Sequence, residues 1–105
     1  MNPQDQLIGA LLEDACLTLD ELSRACAVEQ NWVIAHVREG LLSVPGESPA
    51  SWRFSSRDLW RARQMLRFER DFEAVPELAA LVADLLEELE DVRAQMRRAG
   101  LADLR

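Results

Sequence analysis

The sequence predicts a mainly α fold, a winged helix-turn-helix with a small β wing followed by one long C-terminal helix. Three observations predict it. Two short amphipathic stretches, DELSRACAV and EQNWVIAHVREG, meet at Ala27 and Val28, as two helices joined by a tight turn do. Two strand-like pieces, residues 41–44 (LLSV) and 51–54 (SWRF), flank PGESPA, which is all turn chemistry. After Pro76 the residues Leu78, Val82, Leu85, Leu89, Val92, Met96 and Ala99 recur at alternating spacings of 4 and 3, the heptad signature of a long helix with one apolar seam.

The elements follow in chain order. Residues 1–16 are polar and then weakly apolar without a clear period, and read as an N-terminal arm. Residues 17–72 form the winged helix-turn-helix and residues 73–105 the long helix, within one compact domain, since 105 residues with 49% hydrophobic content bury one modest core. Leu17-Thr18-Leu19 is a short apolar, β-branched lead into a helix with Leu22, Ala25 and Cys26 on one face. Its start is either at Asp20 as N-cap or at a capping box of Thr18 with Glu21. The second helix places Val33, Val37, Trp32 and His36 at helical spacing and stops at Gly40. Ser55 or Ser56 caps the third, whose Leu59, Ala62 and Leu66 face a core. Its polar side carries Trp60, Arg63, Arg67 and Arg70, a stripe that reads either as pairing with carboxylates and stacking on Trp60 or as touching phosphates. Pro76 opens the last helix, where its missing N–H costs nothing.

Charge narrows the function. The net charge is -7 and every basic residue is Arg. Nucleic-acid binders draw most of their non-specific affinity from a basic footprint, and between Val28 and Phe54 the bases are Arg38 and Arg53 against Glu29, Glu39 and Glu47. Between Asp71 and Val92 there are eight acidic residues and no basic one. Glu77, Asp84, Glu88 and Asp91 fall in one stripe beside the apolar seam, with Leu81 at its edge, a mixed face suited to helix-mediated recognition of a basic protein surface.

Other chemistry finds little support. Cys16 and Cys26 lack a C-x-x-C spacing, and the single histidine has no second one to share a metal with. His36 reads as a packed or capping residue, Trp52 as packing at the wing base, and Trp32 as either core or an exposed anchor. There is no Gly-rich phosphate loop and no catalytic constellation, so the expectation is a non-enzyme without cofactor or metal. No apolar run is long enough to cross a bilayer, and MNPQDQ is not a secretory start; a cytoplasmic protein is expected.

The order LTL, DELSRACAV, a helix ending HVREGLL, WRFS, Asp58-Leu59 and the terminal Leu85-Leu86 with Leu89 resembles the MerR-type winged helix-turn-helix, and within it the CbpM family of chaperone modulators. The resemblance spans about residues 17–96. It implies a small cytoplasmic protein that binds and inhibits a DnaJ-like, CbpA-type co-chaperone through its J-domain, whose second helix is basic. The expected partner-binding residues are Glu77, Leu78, Leu81, Asp84, Leu85, Glu88 and Asp91, with Trp32 as a secondary contact and a homodimer through the C-terminal helix as a further expectation. The rival reading is a small MerR-type DNA-binding regulator that sets Arg38, Arg53, Arg57 and Arg63 on phosphates. MerR regulators generally carry an aromatic pair and bases where this chain has Ala35-His36-Val37 and an acidic loop, which favours the modulator.

Overall fold

A computed structural model describes residues 17–100; the N-terminal arm and Cys16 lie outside the described residues. Four α-helices follow one another: α1 (Leu19–Cys26), α2 (Gln30–Arg38), α3 (Ser56–Phe72) and α4 (Pro76–Arg98). A short 3-10 turn at Pro49–Ser51 lies between α2 and α3. Helix α3 is the spine, packing on α1 and on α4, while α1 packs on α2.

Local chemistry sets the helix ends. Of the two possible starts for α1, the capping box prevails: the Thr18 hydroxyl accepts from the Glu21 N–H, and the Glu21 carboxylate accepts from the Thr18 N–H at 2.9 Å. That backbone bond, with help from the Thr18 side chain, holds Glu21 below the usual carboxylate range. At the other end Ala27 turns left-handed at φ 55°, and the Ala27 and Val28 N–H groups reach back to the carbonyls of Arg24 and Ser23, closing the tight turn into α2. Helix α3 starts on the same device, with Ser55 as cap and Asp58 answering it. Gly40, at φ 78°, ends α2 as expected.

The small β wing is corrected. Among the described residues there is no strand, only one isolated antiparallel bridge between Leu17 and Phe54. The two wing segments spend their backbone groups elsewhere. The N–H groups of Leu41 and Leu42 both go to the His36 carbonyl, and Phe54 gives its N–H and its carbonyl to Leu17. Neither is left to form a hairpin ladder with the other. Pro45 and Pro49 lack a donor altogether, and Ser48 and Ser51 close the loop on themselves. Gly46, at φ 122°, runs so close to Ser51 that a Cβ would come within 2.9 Å of its hydroxyl oxygen. What survives of the wing is a loop pinned by buried anchors, Leu42, Trp52 and Phe54.

The core lies where α1, α2 and the loop close on α3. Leu22, Val33, Leu42, Phe54, Leu59 and Met65 are its largest fully buried side chains. Each such side chain contributes about 1.5–3 kcal/mol by leaving water. Helix α4 adds only Ala79, Ala80 and Ala83.

Candidate functional site

Helix α4 presents two unlike faces. Pro76 sits in its first turn with Glu77, and Arg97 and Arg98 in its last, so both ends match the helix dipole. The face against α3 is made of small residues, Ala79, Ala80 and Ala83, all buried. Five large aliphatic residues point the other way, while Val82 and Leu86 are half-buried. Leu78, Leu81, Leu85, Leu89 and Val92 are 46%, 53%, 58%, 43% and 45% exposed. At 3.6 residues per turn they fall within about 80° of one another, roughly opposite the alanines. The heptad seam is therefore not the side that meets α3; of its members, Val82 and Met96 are half-buried and Ala99 is exposed. Phe72 and Val75, in the connection from α3, are exposed too. An unpartnered stripe of this length is what interaction helices show.

The acidic residues divide. Asp84 pairs with Arg61, and Asp91 shares Arg57 with Glu87, so these carboxylates tie α4 to α3. The two hydrogen-bonded carboxylates hold Arg57 still more firmly protonated. Asp84 and Asp91 nonetheless remain 60% and 58% exposed, so these links stabilise only slightly. Glu77 and Glu88 have no ion-pair partner among the described residues and flank the leucines directly. Leu78, Leu81, Leu85, Glu77 and Glu88 thus form one surface, with Asp84 and Asp91 on its α3 side. Arg61, which also donates to the Leu41 carbonyl at 2.9 Å, was not visible as a structural residue from sequence. Its signal was the order of charges: Arg57 and Arg61, four apart on one helix, meet Asp91 with Glu87 and then Asp84 on an antiparallel neighbour.

Trp32 lies away from this surface. It is half-buried, stacked on the His36 ring at 3.8 Å between centroids, and its indole N–H donates to Glu69 at 3.3 Å. His36 is buried; its Nε2 meets the other Glu69 oxygen at 2.9 Å and its Nδ1 meets the Trp32 carbonyl at 2.7 Å. Both ring nitrogens thus meet an oxygen, one on α2 and one on α3. Of the arginines that a DNA reader would place on phosphates, Arg57 is engaged by Glu87 and Asp91, and Arg53 donates to the carbonyls of Ala50 and Trp52. Arg38 and Arg63 alone of the four have no hydrogen-bond partner among the described residues.

The family model described as MerR HTH family regulatory protein matches residues 17–99. A chaperone modulatory protein CbpM from Coxiella burnetii is 35% identical over 90 residues, covering 85% of each chain. The chain belongs to the CbpM family. A second CbpM, from Pseudomonas entomophila, is 28% identical over 79 residues, or 75% of this chain and 78% of that one. No solved structure matches. The match to the MerR family model, residues 17–99, takes in the helix-turn-helix and the outward leucine stripe of α4 together. Among the described residues no helix is long and apolar enough to cross a membrane.

Proposed function

We propose that this CbpM-family chain is a cytoplasmic chaperone modulator that binds a DnaJ-like, CbpA-type co-chaperone on its J-domain and inhibits it by occlusion. The observation that carries this reading is the outward stripe Leu78, Leu81, Leu85, Leu89 and Val92 with Glu77 and Glu88 beside it. The apolar residues supply the desolvated centre of an interface, and the carboxylates select a basic partner. A basic J-domain helix laid along α4 meets both. It is then unavailable to the chaperone ATPase it would otherwise engage. DNA binding fits less well, because Arg53 and Arg57 are already engaged and the net charge of -7 repels a polyanion.

Calorimetry with an isolated J-domain tests the reading. Leu85→Asp combined with Glu88→Arg places a charge in the apolar centre and a like charge opposite a basic helix. Binding should fall by about a hundredfold or more, while helicity and melting stay near wild type because both positions are exposed. Wild-type binding should also weaken as salt rises. A folded double variant that binds as tightly as wild type would remove α4 from the interface.

A further inference from the structure

Helix α3 carries a second set of arginines on another flank, roughly 120° around its axis from Arg57 and Arg61. Arg63, Arg67 and Arg70, with Trp60 and Gln64, form one wall of a groove of about 610 Å³ whose floor is Ala25, Cys26 and Ala27 at the end of α1. Three arginines line this space, and its one carboxylate-bearing residue is Asp71. Asp71 reaches Arg67 at 3.9 Å, between side chains 59% and 76% exposed, a contact worth little. Among the described residues Arg63 and Arg70 have no hydrogen-bond or ion-pair partner, and no arginine stacks on Trp60.

We propose that this groove docks an acidic helical segment of a partner protein. Charge is the first reason. In a chain of net charge -7, Arg57 and Arg61 on the same helix are matched with carboxylates, whereas the groove sets three arginines against the single carboxylate of Asp71. Spacing is the second: Arg63, Arg67 and Arg70 step by 4 and 3, so they span about 10 Å, the distance covered by carboxylates at i, i+4 and i+7 of a facing helix. Arginine forks bind carboxylates in paired hydrogen bonds. Shape is the third, since the small residues of the floor leave room for an apolar side chain against half-buried Trp60. A duplex would fit worse, because it carries its charge far past this short strip and onto an acidic protein. The groove is on α3 and α1, not on the outer face of α4, so it stands or falls independently of the J-domain reading.

The probe is a capped, fluorescein-labelled helical peptide of about 20 residues, long enough to be helical alone, with Glu at i, i+4 and i+7 beside two leucines. A counterpart carries Gln at the three positions. At low salt the wild-type protein should bind the Glu peptide about tenfold or more tighter than the Gln peptide, and Arg67→Glu with Arg70→Glu should abolish that preference. Both positions are exposed, so circular dichroism should be unchanged; Arg67→Gln with Arg70→Gln is the milder variant and should lose most of the preference. NMR shifts on binding should centre on the Trp60 indole and the Ala25 and Ala27 amides. Equal binding of the two peptides, insensitivity to both arginine variants, shifts confined to α4, or displacement of the peptide by duplex DNA through the same arginines would each overturn the proposal.

Discussion

The inner and outer faces of α4 invert the usual expectation for an amphipathic helix. The inner face is built of alanines that are buried, and the outer of leucines that are about half exposed. Small residues let the backbones of α3 and α4 come close, Ala62 facing the core on one helix and Ala79, Ala80 and Ala83 on the other. Hydrophobicity alone does not choose the side that meets the domain. Close approach does, and most of the larger side chains are left exposed.

That contrast can be broken by putting the same change on each face. Ala83→Asp buries an unpaired charge against α3 and should cost about 4 kcal/mol or more, leaving α4 detached or the chain unfolded in thermal melts. Two residues on, Leu85→Asp should shift stability by no more than about 0.5 kcal/mol. If the stripe also pairs two copies, wild type should sediment as a dimer at micromolar concentration and Leu85→Asp as a folded monomer. Comparable destabilisation by the two changes would show that the outer face is packed within one chain.

A smaller effect is expected at the α2–α3 joint. Glu69→Ala strands the buried His36 and the Trp32 indole, so urea unfolding should report a loss of about 1–3 kcal/mol, with J-domain affinity unchanged because neither residue lies on the outer face of α4. Smaller still is the effect of Cys26. Burial pushes its thiol from near 9 up to about 11, with the Arg63 charge pulling slightly the other way. The folded protein therefore keeps the proton that the unfolded chain releases. The stability this represents is complete below pH 9 and is lost as pH rises from 9 toward 11. In a Cys16→Ser background, disulfide exchange reagents at pH 8 should modify the folded protein slowly and the urea-unfolded chain at once.

Much of this was legible in the sequence because the signals are local. The four helices of the described residues, the stop at Gly40 and Pro76 at the head of α4 all follow from residues within one turn of each other, and Thr18 and Ser55 are each one of two caps the sequence offers. The helical faces of α1 and α3 read correctly, although Met65 went unnoticed as core. The wing misled, since its pieces have strand-like composition while their partners are distant: Leu17 claims Phe54, and His36 claims Leu41 and Leu42. Pairing over such separations leaves no periodic trace. At the candidate site, the apolar seam and the acidic stripe were both readable, but their division was not. That Asp84 and Asp91 are held by α3 while Glu77 and Glu88 are not depends on the pitch and phase of two helices together.

Glu69 grips the Trp32 indole with one oxygen and the His36 ring with the other, two donors one helical turn apart on α2. Such a two-point hold resists both sliding and rolling, since either motion would release a buried donor. Glu69 is thus the side chain that couples α2 to α3 at this joint. A load applied to α4 and passed to α3 through their packed faces would reach α2 through this joint.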